Sequence, residues 1–186
     1  RRIRNDLFKK SLVKHISMEK VSIIVACYNE EKSIPELIKQ LDKLPAIIQA
    51  ADYNYELVFV DDGSTDSTKE AIDSILKFHN TKFISYADNS GKGYALKKGF
   101  EVASGDYIFF MDADLSTPIK YIGAFIDIAN KDIIIGSRKI DPNLIKISQS
   151  LIRRKLGRGF TLLTNLVLGT SVTDFTCGFK MFPNKI

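Results

Sequence analysis

Two aspartates one residue apart, Asp112 and Asp114, follow directly on the apolar run YIFFM. Where the chain is still extended, residues two apart share a face. Two carboxylates on one face repel each other unless a cation lies between them. Such an all-oxygen pair suits Mg2+ or Mn2+, which takes one or two carboxylates and completes its shell with substrate phosphates. D-x-D is also common among solvated strand-end acids. The place after YIFFM, together with matching clusters elsewhere, favours the cation.

Three further polar clusters stand in comparable places. Tyr28-Asn29-Glu30 follows VSIIVAC, Asp61-Asp62-Gly63-Ser64 follows ELVFV, and Arg138 follows the strand-like DIIIGS. A carboxylate at a strand end can accept an N–H from a nucleobase or a sugar. The same stretch also reads as a turn with a helix capped by Ser64, Asp66 or Ser67, and the two roles are compatible. Arginine gives bidentate phosphate contacts, and Arg138 is one of only seven arginines beside twenty lysines. Gly91-Lys92-Gly93 permits close backbone approach to an anion at a helix start, or is simply a tight turn. It lacks P-loop spacing, and Leu96 stands where the third glycine of a dinucleotide fingerprint belongs. Lys146, Arg153, Arg154, Lys155 and Arg158 form a basic cluster with no acid between Lys146 and Arg158. They read as a solvated face or as cations offered to an anion, and the lack of acids argues against ordinary i,i+4 pairing.

These clusters need a scaffold, and the apolar pattern supplies one. Short β-branched and aromatic runs predict strands at Val21–Cys27, Glu56–Val60, Lys82–Tyr86, Tyr107–Met111 and Ile133–Ile135. Between them lie helical patterns. One starts at a capping box of Ser33 and Glu36, with Pro45 ending or kinking it. Others follow Ser67, Gly91 and Pro118, and a long helix covers Ser148 to Leu168. Alternation of this kind predicts an α/β domain, a mostly parallel sheet with helices on both faces. In such sheets ligands bind beyond the carboxyl ends of the strands, which is where all four clusters fall.

The chain has 186 residues, 45% hydrophobic and 26% charged, which excludes disordered, collagenous and disulfide-scaffold classes. No run approaches the roughly 20 apolar residues of a spanning helix, and the N-terminus has no signal-peptide pattern. Cys27 and Cys177 fit no disulfide framework or zinc site, so a reducing compartment is expected. With two histidines, His15 and His79, Cys-His and Ser-His-Asp chemistries are disfavoured. Residues 1–20 hold seven basic and two acidic groups, and the remainder is neutral. The charge therefore sits in a basic N-terminal extension, 1–20, before a domain at 21–186, and no nucleic-acid partner is expected.

VSIIVACYNEE, ELVFVDDGSTDST, GKGYALKKGF, YIFFMDADLSTP, DIIIGSRK, RRKLGRGF and TDFTCGFKMF occur in the order seen in glycosyltransferase family 2. The chain resembles the polyprenyl-phosphate branch, near the dolichyl-phosphate glucosyltransferases and mannose synthases. The resemblance runs from about Val21 to Phe182. It implies the Rossmann-like glycosyltransferase-A fold, an inverting reaction, a nucleotide-sugar donor and Mg2+ or Mn2+. Relatives continue beyond the position of Ile186, so the C-terminal part reads as truncated.

By this resemblance Ala26, Tyr28 and Glu30 line the nucleoside, and Val60, Asp62 and neighbouring Asp61 meet the base. Asp112, Ala113 and Asp114 hold metal and diphosphate. Ser116 stands by the metal where mannose synthases often carry glutamine. Lys92 joins the nucleotide-sugar set. Arg138 lies near the diphosphate, Arg153 or Arg154 meets the acceptor phosphate, and Asp174 to Lys180 cover sugar and acceptor.

The implied reaction moves a hexose, glucose ahead of mannose, from UDP-glucose, or secondly GDP-mannose, to a polyprenyl phosphate. A phosphate with a second pKa of ~6 is already an anionic nucleophile and needs no general base. A saccharide or protein hydroxyl acceptor would need one, and Asp174 would then serve. A catalytically silent nucleotide-sugar-binding module is the other alternative. The expected location is cytoplasmic, peripheral on the membrane face.

Overall fold

The computed structural model describes residues 18–76, 80–129, 132–137 and 151–184, with 151–155 described by backbone alone. Its strands are β1 (Lys20–Cys27), β2 (Asn54–Asp61), β3 (Thr81–Ser85), β4 (Tyr107–Asp112), β5 (Ile134–Ile135) and β6 (Lys180–Pro183). They form one sheet in the order β3-β2-β1-β4-β6-β5. The first four are mutually parallel, whereas β6 runs antiparallel to both β4 and β5.

The described helices are α1 (Ile34–Leu41), α2 (Leu44–Ala50), α3 (Thr68–Asp73), α4 (Lys92–Val102), α5 (Tyr121–Asp127) and α6 (Leu151–Leu168). The period-2 alternation of the strands sorts the core onto two faces. Val21, Ile23, Val25, Phe59 and Phe109 join Leu37, Leu41, Ile48, Ile72 and Ile122 of α1, α2, α3 and α5 in one cluster. Ile24, Val58, Val60, Ile108 and Phe110 face α4 through Ala95, Leu96 and Phe100 in the other. A central parallel strand covered on both faces reads as an unbroken apolar run, which is why VSIIV carries no polar/apolar alternation.

Register then sets the rim. Ala26 pairs with both Val60 and Asp112, so the ends of β1, β2 and β4 lie in one row across the sheet. The polar residues that follow each strand emerge side by side.

Four local expectations are corrected. The Ser33–Glu36 capping box does not form. Ser33 is already helical in its backbone, its hydroxyl donates to Glu30 Oε2 at 2.5 Å, and Glu36 instead accepts from Gln40. Pro45 begins a second helix rather than kinking the first, as its fixed φ and missing N–H allow in an initial turn. The helix expected at Pro118 begins at Tyr121, after a turn closed on the Pro118 and Ile119 carbonyls. Strand β6 was not expected. Lys180–Pro183 separates β4 from β5, so the fifth strand joins the sheet only through an antiparallel neighbour.

Candidate active site

A cleft of about 490 Å³ opens at the strand ends. Ala26, Cys27, Tyr28 and Glu30 line it from β1 and its loop, Asp62 from β2, Asn89, Gly91 and Lys92 from the start of α4, and Asp112, Ala113 and Asp114 from β4.

The DDGSTDST stretch is a hydrogen-bonded scaffold for the first of these loops. Asn29, held at φ 54°, accepts from Thr65 N at 2.8 Å, and its own N–H donates to Ser64 Oγ at 2.9 Å. Glu30 N donates to Thr68 Oγ1 at 2.7 Å. Asp66 rather than Ser67 caps α3, accepting from Thr68 N at 3.0 Å. Gly63 has φ 71°, and a Cβ there would lie 2.7 Å from Asn89 N, so both conformation and space require glycine. Tyr28 is thereby presented at the mouth of the cleft, about half exposed.

Asp62 is buried, and its carboxylate ties down the loop before α4. It accepts from Tyr86 Oη at 2.7 Å, Ser90 N at 2.9 Å and Asn89 Nδ2 at 3.2 Å. A carboxylate has about four acceptor positions, so one remains for a ligand N–H. Burial first, and then the bond to Asp62, push the Tyr86 phenol well above its ordinary range. Asp61 is equally buried and is occupied by Ser64 N and Ser85 Oγ, at 3.1 and 3.0 Å.

At the end of β4 the Asp112 carboxylate forms an ion pair with Lys92 Nζ, from the first residue of α4. Its other side is closed by Gly178, where a Cβ would collide with the carboxylate. Gly178 is held by its neighbour Phe179, whose ring packs edge-on against Phe109 at 4.5 Å and Phe125 at 5.2 Å. Asp114 is fixed differently. Leu115 takes φ 54°, uncommon for a bulky residue, and Ser116 folds back to donate to Asp114 from N at 2.9 Å and Oγ at 2.7 Å.

Lys180 lies over the Phe110 ring at 4.9 Å and donates to Cys177 O at 2.6 Å. Burial lowers its ammonium pKa, with Lys92 adding to the effect and Cys177, Asp174 and Asp112 opposing it. Burial, with Glu30 and Asp61 nearby, raises the Cys27 thiol far above the range of a nucleophile.

Ala26, Tyr28, Glu30, Asp62, Lys92, Asp112, Ala113 and Asp114 are thus brought together. Four expected positions are not in the lining. Val60 is fully buried, packed in the cluster under α4 with Ala95 and Val58. Asp61 turns the other way, toward Ser85. Ser116 is outside the lining, its hydroxyl donating a hydrogen bond to Asp114 Oδ2. Asp174 is buried and accepts from Thr176 N and Oγ1. Arg138 lies outside the described residues, as do the side chains of Arg153 and Arg154. Asn89 and Gly178 were not singled out from the sequence. Asn89 could have been, since it lies in the loop that follows β3. Gly178 could not, since only the fold shows what it touches.

Among the described residues no group of three or more acidic, histidine or cysteine side chains could hold a metal unaided. The two carboxylates of Asp112 and Asp114 fit a hard cation that a diphosphate shares, and Lys92 would have to give way to it.

A mostly parallel sheet carrying such a cleft at its switch point is the glycosyltransferase-A architecture. The family model for glycosyl transferase family 2 matches residues 22–186, and the chain belongs to that family. It is 31% identical over 178 residues to a dolichyl-phosphate beta-glucosyltransferase of Dictyostelium discoideum, covering 89% of this chain and 54% of that one. It is 28% identical over 172 residues to an undecaprenyl-phosphate 4-deoxy-4-formamido-L-arabinose transferase of Yersinia pestis, covering 91% and 50%. Among solved structures, S. aureus TarS 1-349 in complex with UDP-GlcNAc aligns with TM-score 0.53 at 26% identity, covering 89% of this chain and 45% of that one. The chain spans about half the length of the curated relatives it matches.

Proposed function

We propose that this chain carries the donor-binding and transfer site of an inverting hexosyltransferase, which moves a hexose from a nucleotide sugar to a polyprenyl phosphate. Glucose is favoured over mannose, as UDP-glucose ahead of GDP-mannose. The observation that carries the reading is the cleft itself. Asp112 and Asp114 at the end of β4 share it with Asp62, Tyr28 and Lys92, which pairs with Asp112. The relatives named for dolichyl- and undecaprenyl-phosphate transfer support the acceptor class and, in one case, glucose.

Each residue's role follows from its surroundings. Tyr28 offers a ring face and Asp62 one free acceptor position to the nucleoside. Asp112 and Asp114 would hold Mg2+ or Mn2+, which when bound neutralises the diphosphate as a leaving group. Lys92 adds a mobile cation at the same place, and Arg138 is assigned to the diphosphate from its place after β5. An oxygen of the acceptor phosphate attacks the anomeric carbon from the face opposite the diphosphate. The bond to the diphosphate oxygen breaks with its electron pair, and the configuration inverts. The acceptor is already anionic, so no side chain need take a proton. Asp174 is not among the residues that line the cleft, which favours the phosphate acceptor over the hydroxyl-acceptor alternative.

Acceptor access is assigned to α6. Leu156, Phe160, Leu163 and Val167 are all more than half exposed on this helix, which contains no acidic residue and carries Arg153, Arg154, Lys155 and Arg158. Among the described residues no helix is long and apolar enough to cross a membrane. The association proposed for α6 is with an anionic lipid surface, through these apolar and basic residues. Calorimetric titration of UDP-glucose and GDP-mannose, with and without Mn2+, tests the donor assignment. Metal-dependent binding of UDP-glucose is expected, and binding of GDP-mannose alone replaces glucose by mannose.

A further inference from the structure

Asp112 is gripped from two sides, and the two grips differ in kind. Gly178 behind it leaves no room, so the carboxylate cannot turn away from the cleft without displacing backbone packed through Phe179. Lys92 in front is about half exposed and joined only through its flexible side chain. The front is therefore the side that can open. Lys180, held on Cys177 O and over the ring of Phe110 two residues before Asp112, adds a second positive charge to these surroundings.

A divalent ion arriving alone thus finds Asp112 neutralised and two ammonium groups nearby. A nucleoside diphosphate brings the negative charge that can draw Lys92 off. Resting on the metal reading above, we propose that Lys92 is a resident counter-ion of Asp112, displaced when cation and nucleotide diphosphate enter together. In the donor-free protein it holds the carboxylate in place and keeps the divalent ion out. In the loaded site the same ammonium is released toward the diphosphate.

The test is binding of Mn2+ without nucleotide, followed by the loss of the free-ion signal in electron paramagnetic resonance. It compares wild type, Lys92→Met, Lys92→Arg and Asp112→Asn. Removing one competing cation from a partly exposed pair should raise Mn2+ affinity roughly ten-fold in Lys92→Met. Lys92→Arg should behave like wild type. Addition of UDP should tighten Mn2+ binding strongly in wild type and much less in Lys92→Met. Equal or weaker Mn2+ binding in Lys92→Met overturns the counter-ion role. Asp112→Asn separates this failure from that of the metal reading. If, with UDP present, it leaves Mn2+ binding unchanged, the D-x-D is no metal site and both readings fall. If it weakens binding in the presence of UDP while Lys92→Met gains nothing in its absence, only the counter-ion proposal fails.

Discussion

Gly178 and Asp112 are 66 residues apart in sequence, yet the missing side chain of one makes the space for the carboxylate of the other. The segment Cys177–Lys180 is therefore the wall against which Asp112 is set. Gly178→Ala should push Asp112 out of line. Overpacking of this kind costs about 1–3 kcal/mol of stability. Donor affinity in the presence of Mn2+ should fall by more than this loss of folded protein accounts for. Calorimetry at a temperature where the variant is fully folded checks it.

Tyr86 and Asp62 give a second expectation. Tyr86→Phe removes one of three donors from a buried carboxylate and should cost about 1–2 kcal/mol. It should also loosen the loop that carries Asn89 and leads into α4 at Lys92, and so weaken UDP binding severalfold, while Asp62→Ala should weaken it more. Urea denaturation and nucleotide titration read the two effects separately.

The far end of the sheet predicts a pH dependence unrelated to the cleft. Glu56 is buried between Lys20 and Lys82, at 2.8 and 3.1 Å, and accepts from Ser22 and Ser104. Burial would raise its pKa, but these bonds outweigh it and hold the carboxyl at about 2, below its ordinary 4.5. A depressed folded-state pKa stabilises the fold above the unfolded value, and the gain is lost as pH falls from 4.5 toward 2. The shift corresponds to about 3 kcal/mol. Glu56→Gln should remove most of this at pH 7 and flatten the acid limb of a stability profile measured by denaturant titration.

For α6, co-sedimentation with anionic vesicles is the measurement. Arg158→Glu with Leu163→Glu should reduce binding about ten-fold or more, each lost cation contributing roughly 1 kcal/mol at such a surface. Binding by wild type should weaken as salt is raised.

Much of this was legible in the sequence because each signal is local. Apolar runs such as VSIIVAC and YIFFM define central strands, and the residues just after them must lie at the rim of a parallel sheet. That logic placed Tyr28, Asp62 and Asp112 correctly in one cleft without any contact being known. Val60 and Ser116 rest on the resemblance and not on that logic; Val60 packs in the core under α4, and the Ser116 hydroxyl donates to Asp114. Strand β6 escaped because KMFP has no turn signal and ends in proline. Its pairing with β4 is a long-range event that only the packed fold reveals. The role of Gly178 escaped for the same reason.

Transfer to a lipid phosphate through the Asp112–Asp114 site is the reaction proposed for this cleft. Incubation of wild type and Asp114→Ala with labelled UDP-glucose, Mn2+ and dolichyl phosphate, followed by organic extraction, tests it directly. Asp114 packs little of the core, so the variant should remain folded. Label should enter the lipid phase with wild type, as the inverted anomer, and not with Asp114→Ala. Label transferred equally by both proteins, or no lipid-linked product from either UDP-glucose or GDP-mannose while the wild-type protein binds the donor, would contradict it.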